Sequence, residues 1–147
     1  MKRVIYCDMD GVVADFNAEP NGVERFRTER NFFYKLKPIM ENVKAVEELN
    51  KSNDIYILTA SPNKQADKDK MRWLKKHMPF ITNSKVIICR NGQRKVDFMV
   101  SDKGILLDDY GKNIQEWTSK KGNLAYQISE RNSIASLVGT INFIQKG

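Results

Sequence analysis

Apolar positions along this chain recur in two rhythms, short unbroken runs and stripes at three- and four-residue spacing, and the two alternate from end to end. The run from Val4 to Cys7 stops at Asp8, and further runs cover Asp54–Leu58, Val86–Cys89, Gly104–Leu107 and Leu124–Ile128. Each is short, rich in branched residues and bounded by turn formers, so each predicts a buried strand. Between them, Val43, Val46 and Leu49 predict a crossover helix ending near Lys51. Met71, Leu74 and Met78 predict another over Lys64–His77. Asn113–Lys121, with Ile114 and Trp117 facing inward, predicts a third, stopped by Gly122. A last helix starts near Asn132, and a short one is expected over Val23–Arg30. Strands alternating with helices imply an α/β fold: three layers, Rossmann-like, with a central, mostly parallel five-stranded sheet and right-handed crossovers. Residues 93–103 fit a strand, a hairpin arm or a helical turn equally well.

Composition narrows the class without naming a function. At 147 residues, 41% hydrophobic and 29% charged, the chain has the size and balance of one globular domain, expected to span residues 1–147. No run approaches the length of a membrane span. The run after Met1-Lys2-Arg3 is too short for a signal-peptide core and ends in acids. Cys7 and Cys89 both lie in apolar runs, so two buried free thiols in a reducing cytoplasm are expected rather than a disulfide. The net charge of +7 favours an anionic partner, yet the basic residues are scattered and read equally as a solvated surface.

The chemistry gathers where strands end. The first run halts at Asp8-Met9-Asp10-Gly11, two carboxylates on the same side of an extended chain before a glycine turn. Such a pair repels itself unless a cation intervenes, and a hard divalent ion such as Mg²⁺ suits oxygen donors. The second run ends in Thr59-Ala60-Ser61-Pro62 and the fourth in Asp108-Asp109. In a parallel sheet these ends share one edge, the edge where open α/β sheets bind ligands. One polar turn is an ordinary strand end. Two acid pairs and a hydroxyl pair converging on one edge are not.

That order of motifs resembles the haloacid dehalogenase superfamily of phosphohydrolases across nearly the whole chain. A closer resemblance is to the 5′(3′)-deoxyribonucleotidase family, carried by Asp8-Met9-Asp10-Gly11-Val12 through Asp15-Phe16, by Phe32, Phe33, Leu36 and Pro38, by Leu58–Pro62 and by Asp108-Asp109. Two departures stand out. The segment that carries most of a helical cap in relatives is much shorter here, leaving residues 17–36 as a reduced cap, and Tyr110-Gly111 replaces the arginine-proline that often follows the last acids.

The resemblance implies roles. Asp8 is the nucleophile that forms an aspartyl-phosphate. Asp10 is the general acid and then base, its main-chain carbonyl also a metal ligand. Mg²⁺ is held by Asp8, Asp10 and Asp108, and Asp109 orients a lysine. Thr59, Ala60 and Ser61, at the start of the Lys64 helix, hold phosphate oxygens with Arg90. Phe16 lines the base pocket, where Phe32 and Phe33 could join it or be ordinary core. For the lysine, Lys70 in its Asp-Lys-x-x-Trp setting is preferred over Lys85 and Lys103, although the helix has a basic face in any case. His77 reads as a helix-end residue.

The expectation is a cytoplasmic, Mg²⁺-dependent phosphomonoesterase acting on (deoxy)nucleoside monophosphates, a 5′-nucleotidase-like enzyme of nucleotide metabolism. Its rivals are a phosphatase of nucleic-acid ends or another large substrate, and a non-catalytic nucleotide-binding domain. No membrane partner is expected, and the sequence leaves the oligomeric state open.

Overall fold

The structure, a computed structural model describing residues 2–147, is built on one five-stranded sheet. In chain order come β1 (Val4–Cys7), α1 (Gly22–Arg25), α2 (Met40–Asn50), β2 (Ile55–Ser61), α3 (Lys64–His77), β3 (Val86–Arg90), β4 (Gly104–Asp108), α4 (Gly111–Thr118), β5 (Leu124–Gln127) and α5 (Ile134–Lys146). The strand order is β3-β2-β1-β4-β5 and every pairing is parallel. The unbroken apolar runs follow from this, because a parallel sheet covered on both faces presents no polar side to water.

Alternation within each strand sorts its side chains to the two faces. Ile5, Cys7, Ile55, Ile57, Ile105 and Leu107 point into the larger core, where they meet α2, α3 and α5 through residues such as Val46, Trp73 and Ile141. Tyr6, Leu58 and Leu106 point the other way onto Trp117 of α4 and onto Val96, Phe98 and Met99. Residues 93–103 are thereby placed. Lys95–Phe98 is a single 3-10 turn, its apolar side chains closing the second core beneath β3 and β4.

Several boundaries shift for physical reasons. The expected helix over Val23–Arg30 shrinks to Gly22–Arg25, entered through Asn21 in the left-handed region and followed by turns up to Asn31, which is also left-handed. Strand β2 runs on past Leu58 to Ser61, because β3 pairs with it as far as Ser61↔Arg90. Helix α4 begins earlier and ends earlier than expected, at Gly111–Thr118.

β1 is central, and its two neighbours, β2 and β4, lie on opposite sides of it. This is the switch point of the sheet, so a crevice opens beyond the carboxyl end of β1.

Candidate active site

Asp8 leaves β1 with its amide still hydrogen-bonded to Leu107 O, 2.9 Å, so its position is set by the sheet. The chain then turns tightly: the amides of Val12, Val13 and Ala14 all converge on Met9 O, and Gly11 N bonds Ala14 O. Gly11 has φ +80°, and a Cβ there would stand 2.1 Å from Asp109 Oδ2. Glycine is therefore required twice, by conformation and by the approach of Asp109. Buried Asn42 of α2 fastens the turn from behind, donating to Val12 O at 2.8 Å and accepting from Ile134 N at 3.0 Å. No sequence motif marks Asn42, since a buried amide on a helix looks like any polar position.

Two buried lysines organise the acids. Lys70 Nζ, on α3, donates to Asp10 Oδ2 at 2.7 Å, Thr59 Oγ1 at 2.8 Å and Ala60 O at 2.7 Å, and it lies over the Phe33 ring. Asp10 Oδ1 has no hydrogen-bond partner among the described residues. Lys95 Nζ donates to Asp8 Oδ1 at 2.9 Å and Asp108 Oδ2 at 2.7 Å. Burial alone would pull the Lys95 ammonium down, but Asp8 and Asp108 outweigh it and hold it above the ordinary lysine range. For Asp8, burial dominates and pushes the carboxyl up, with Lys95 opposing and Asp108 adding to the rise. Asp109 is likewise pushed up, to about 6, by burial first and by Asp108 second.

Lys95 was not among the sequence candidates. It sits in the stretch that hydrophobic pattern could not place, directly after a polar run, Asn91–Arg94, that looks like loop. The available signal was Val96, Phe98 and Met99 just after it: these apolar residues pack half-buried against the second core, and the lysine beside them is buried. Lys85 and Lys103 both precede their strands, at the opposite edge of the sheet, where Lys85 pairs with Asp54.

Other expectations need correction. Asp109, expected to orient the helix lysine, is instead packed over Gly11, beside Asp8 and Asp108, while Lys70 is held by Asp10, Thr59 and the Ala60 carbonyl. Arg90 is not turned to the phosphate position: its guanidinium makes a two-pronged pair with Asp67 of α3, both contacts 2.9 Å. Ser61 is buried, its hydroxyl donating to Asn63 O. Thr59 is also buried beneath Lys70. Ala60 and Phe16 do line the cavity over the acids.

That cavity measures 630 Å³, within the roughly 300–1,000 Å³ of small-molecule sites. Its lining combines the charged groups Asp8, Asp10, Lys95, Asp108 and Asp109 with Phe16, Val23, Phe26, Arg27 and Phe33. The rings are mutually packed, with Phe16 stacked on Phe33 and edge-on to Phe26 and Phe32. Phe32 is buried core.

Asp8, Asp108 and Asp109 each offer an oxygen, all within 4.8 Å of one another. Four carboxyls, with Asp10, face two ammoniums, a formal excess of two negative charges when all are ionised. Hard oxygen donors with that excess suit a divalent cation of the Mg²⁺ type.

Residues 19–134 match the model of the family described as 5′ nucleotidase, deoxy (pyrimidine), cytosolic type C protein. The chain belongs to this family. The nucleotidase-family chain is accordingly a phosphomonoester hydrolase. The match begins beyond Asp8 and Asp10, so those two acids rest on their place in the fold. The chain is 28% identical over 132 aligned residues to the 5′(3′)-deoxyribonucleotidase of Bacillus subtilis (strain 168), covering 69% of this chain and 77% of that protein. Among solved structures it resembles the HAD domain of effector protein Lem4 from Legionella pneumophila, with TM-score 0.57, 14% identity, and 98% of this chain and 95% of that one covered. A chain of a Pnkp1/Rnl/Hen1 complex gives TM-score 0.64 at 15% identity, with 87% of this chain covering 46% of that one. These two likenesses establish the fold, which is HAD-like.

Proposed function

We propose that the chain is a Mg²⁺-dependent 5′(3′)-deoxyribonucleotidase that releases phosphate from (deoxy)nucleoside monophosphates through an aspartyl-phosphate on Asp8. The observation that carries the reading is the pairing of a fixed carboxylate, Asp8, with Lys95 in a cavity that the rings of Phe16, Phe26 and Phe33 also line. Residues 17–36 serve as the reduced cap that supplies Phe26 and Phe33. The family's description as a cytosolic type supports a cytoplasmic enzyme, and among the described residues no helix is long and apolar enough to cross a membrane.

The residues divide the work as follows. Lys95 faces the cavity and balances the phosphoryl group's negative charge while holding the Asp8 carboxylate in line. An Asp8 oxygen attacks phosphorus, the ester P–O bond breaks, and Asp10 gives its proton to the departing alkoxide. The alcohol departs with that proton; water then attacks the phosphorus of the acyl phosphate and gives a proton to the Asp10 carboxylate, the bond between Asp8 and phosphorus breaks, and phosphate leaves with Asp8 regenerated and Asp10 reprotonated. Lys70 holds Asp10 by Oδ2 and so fixes the orientation of its carboxyl. A divalent ion held by Asp8, Asp108 and Asp109, with the Asp10 carbonyl alongside, would add electrostatic stabilisation of the phosphoryl oxygens. Thr59 acts by positioning Lys70, and Ala60 shapes the wall beside it.

Release of inorganic phosphate from a panel of deoxynucleoside monophosphates, sugar phosphates and a small aryl phosphate tests the reading. Nucleotides are expected to lead the panel, and activity is expected to vanish in excess chelator and return with Mg²⁺. A sugar phosphate leading the panel, or full activity in chelator, would refute it.

Phe16 gives the sharper prediction. A base against an aromatic face gains on the order of 1–3 kcal/mol. Phe16→Ala should therefore lower kcat/KM for nucleoside monophosphates about tenfold or more and leave the aryl phosphate nearly unchanged. Since Phe16 also packs on Phe26, Phe32 and Phe33, equal losses on both substrates would assign it to the cap's own packing.

A further inference from the structure

The catalytic cavity does not end at the phosphate position. It opens, past Tyr110, into a second groove of 300 Å³. The two share Ala60, Asn91, Lys95, Tyr110 and Asn113, so they form one trough with the acids in its floor. The aromatic lobe is large enough by itself for a nucleoside monophosphate. The second lobe is lined mostly by polar and charged residues, and what it offers is specific. Tyr110 is 58% exposed at the lip between the lobes, and its ring is in no aromatic pair among the described residues. Lys112 is exposed and makes no ion pair among the described residues, whereas Glu116, the one acid of this lobe, is engaged by Arg94 at 3.9 Å. Gln93, which lines the groove, is held through its Oε1 by Arg90 N at 2.7 Å, and its Nε2 donates to no partner among the described residues.

An exposed ring, an unpaired cation and amide donors, continuous with a site that takes nucleotides, match the next unit of a nucleic-acid strand: a base to stack and a phosphodiester to neutralise. We propose that the trough binds two consecutive nucleotides, the phosphorylated one in the aromatic lobe and its neighbour over Tyr110 with the connecting phosphodiester at Lys112, so that the substrate class includes short single-stranded oligonucleotides carrying a terminal phosphate. The inference rests on the nucleotidase reading of the same site. It extends that reading at one of the two places where this chain departs from the sequence pattern it otherwise resembles, Tyr110-Gly111 after the final acids.

The test compares thymidine monophosphate with the thymidine dinucleotide bearing the same terminal phosphate. The dinucleotide is expected to have a kcat/KM at least tenfold higher, the gain lying mainly in KM. One neutralised phosphate on a single strand predicts that a tenfold rise in NaCl erodes this advantage by about fivefold. Tyr110→Ala should remove most of the advantage. Lys112→Ser should remove its salt dependence while monophosphate hydrolysis stays at the wild-type value. A dinucleotide no better than the monophosphate, with the latter hydrolysed normally, overturns the two-nucleotide trough and leaves the nucleotidase reading standing. Should neither be hydrolysed, the nucleotidase reading falls, and affinities of the Asp8→Asn protein decide the trough: tenfold tighter binding of the dinucleotide supports it, and equal binding overturns it.

Discussion

Asp8→Asn is expected to abolish phosphate release while the protein stays folded. The amide has nearly the shape of the carboxylate, and its Oδ1 can still accept from Lys95 at the distance of 2.9 Å seen for the native pair. What it lacks is the negative charge and the lone-pair reactivity needed to form an acyl phosphate. Loss of a covalent nucleophile from a preassembled site costs about 10⁶-fold in kcat where it has been dissected, so turnover should fall by about 10⁵-fold or more. The fold has reason to tolerate the change, since burial already penalises the Asp8 charge. Urea unfolding should show a midpoint at or above the wild-type value. Phosphate release within a hundredfold of wild type by the folded variant would rule out covalent catalysis at Asp8. An unfolded variant would show that Lys95 depends on that charge more than the hydrogen bond suggests.

How far the sequence carries this site depends on what kind of signal each residue leaves. Asp8, Asp10 and Asp108 are legible because a carboxylate at the end of an apolar run is a conflict that burial alone does not explain. Lys70 was reachable through the motif around it, and the structure puts its ammonium on Asp10 and Thr59. Arg90 illustrates the limit: its position at a strand end was read correctly, but its direction is set by Asp67, four residues into the next helix back, and a sequence does not tell which of two neighbours a guanidinium chooses. Asp109 shows the same limit at closer range. Its carboxylate is steered by the missing Cβ of Gly11, a contact between residues 98 positions apart in the chain. The five-strand sheet was legible throughout, since unbroken apolar runs and helical stripes report burial on both faces directly. The 93–103 segment was not, because one 3-10 turn is too short to show a period.

Lys95→Met is the substitution that should damage both stability and rate. The side chain is 3% exposed, and its ammonium is shared by two carboxylates, Asp8 and Asp108, which are themselves buried. Methionine fills nearly the same volume, so the charge is what changes. Removing one partner of a buried ion pair costs about 3–5 kcal/mol, because the other is left uncompensated. For a chain of this size that corresponds to a fall in Tm of about 6–20 °C. Millimolar Mg²⁺ should return part of that loss, more than it adds to the wild-type Tm, since a divalent cation at Asp8, Asp108 and Asp109 neutralises the same excess charge. Activity should not return with it. Lys95 is the ammonium that lines the cavity, whereas Lys70 lies beneath it, and loss of one preorganised charge at a phosphoryl site costs on the order of 10²–10³-fold in kcat. Thermal melts and phosphate release, each with and without Mg²⁺, separate the two effects: a variant that regains both would make Lys95 a charge balancer only, and one that regains stability alone places its ammonium on the reacting phosphoryl group.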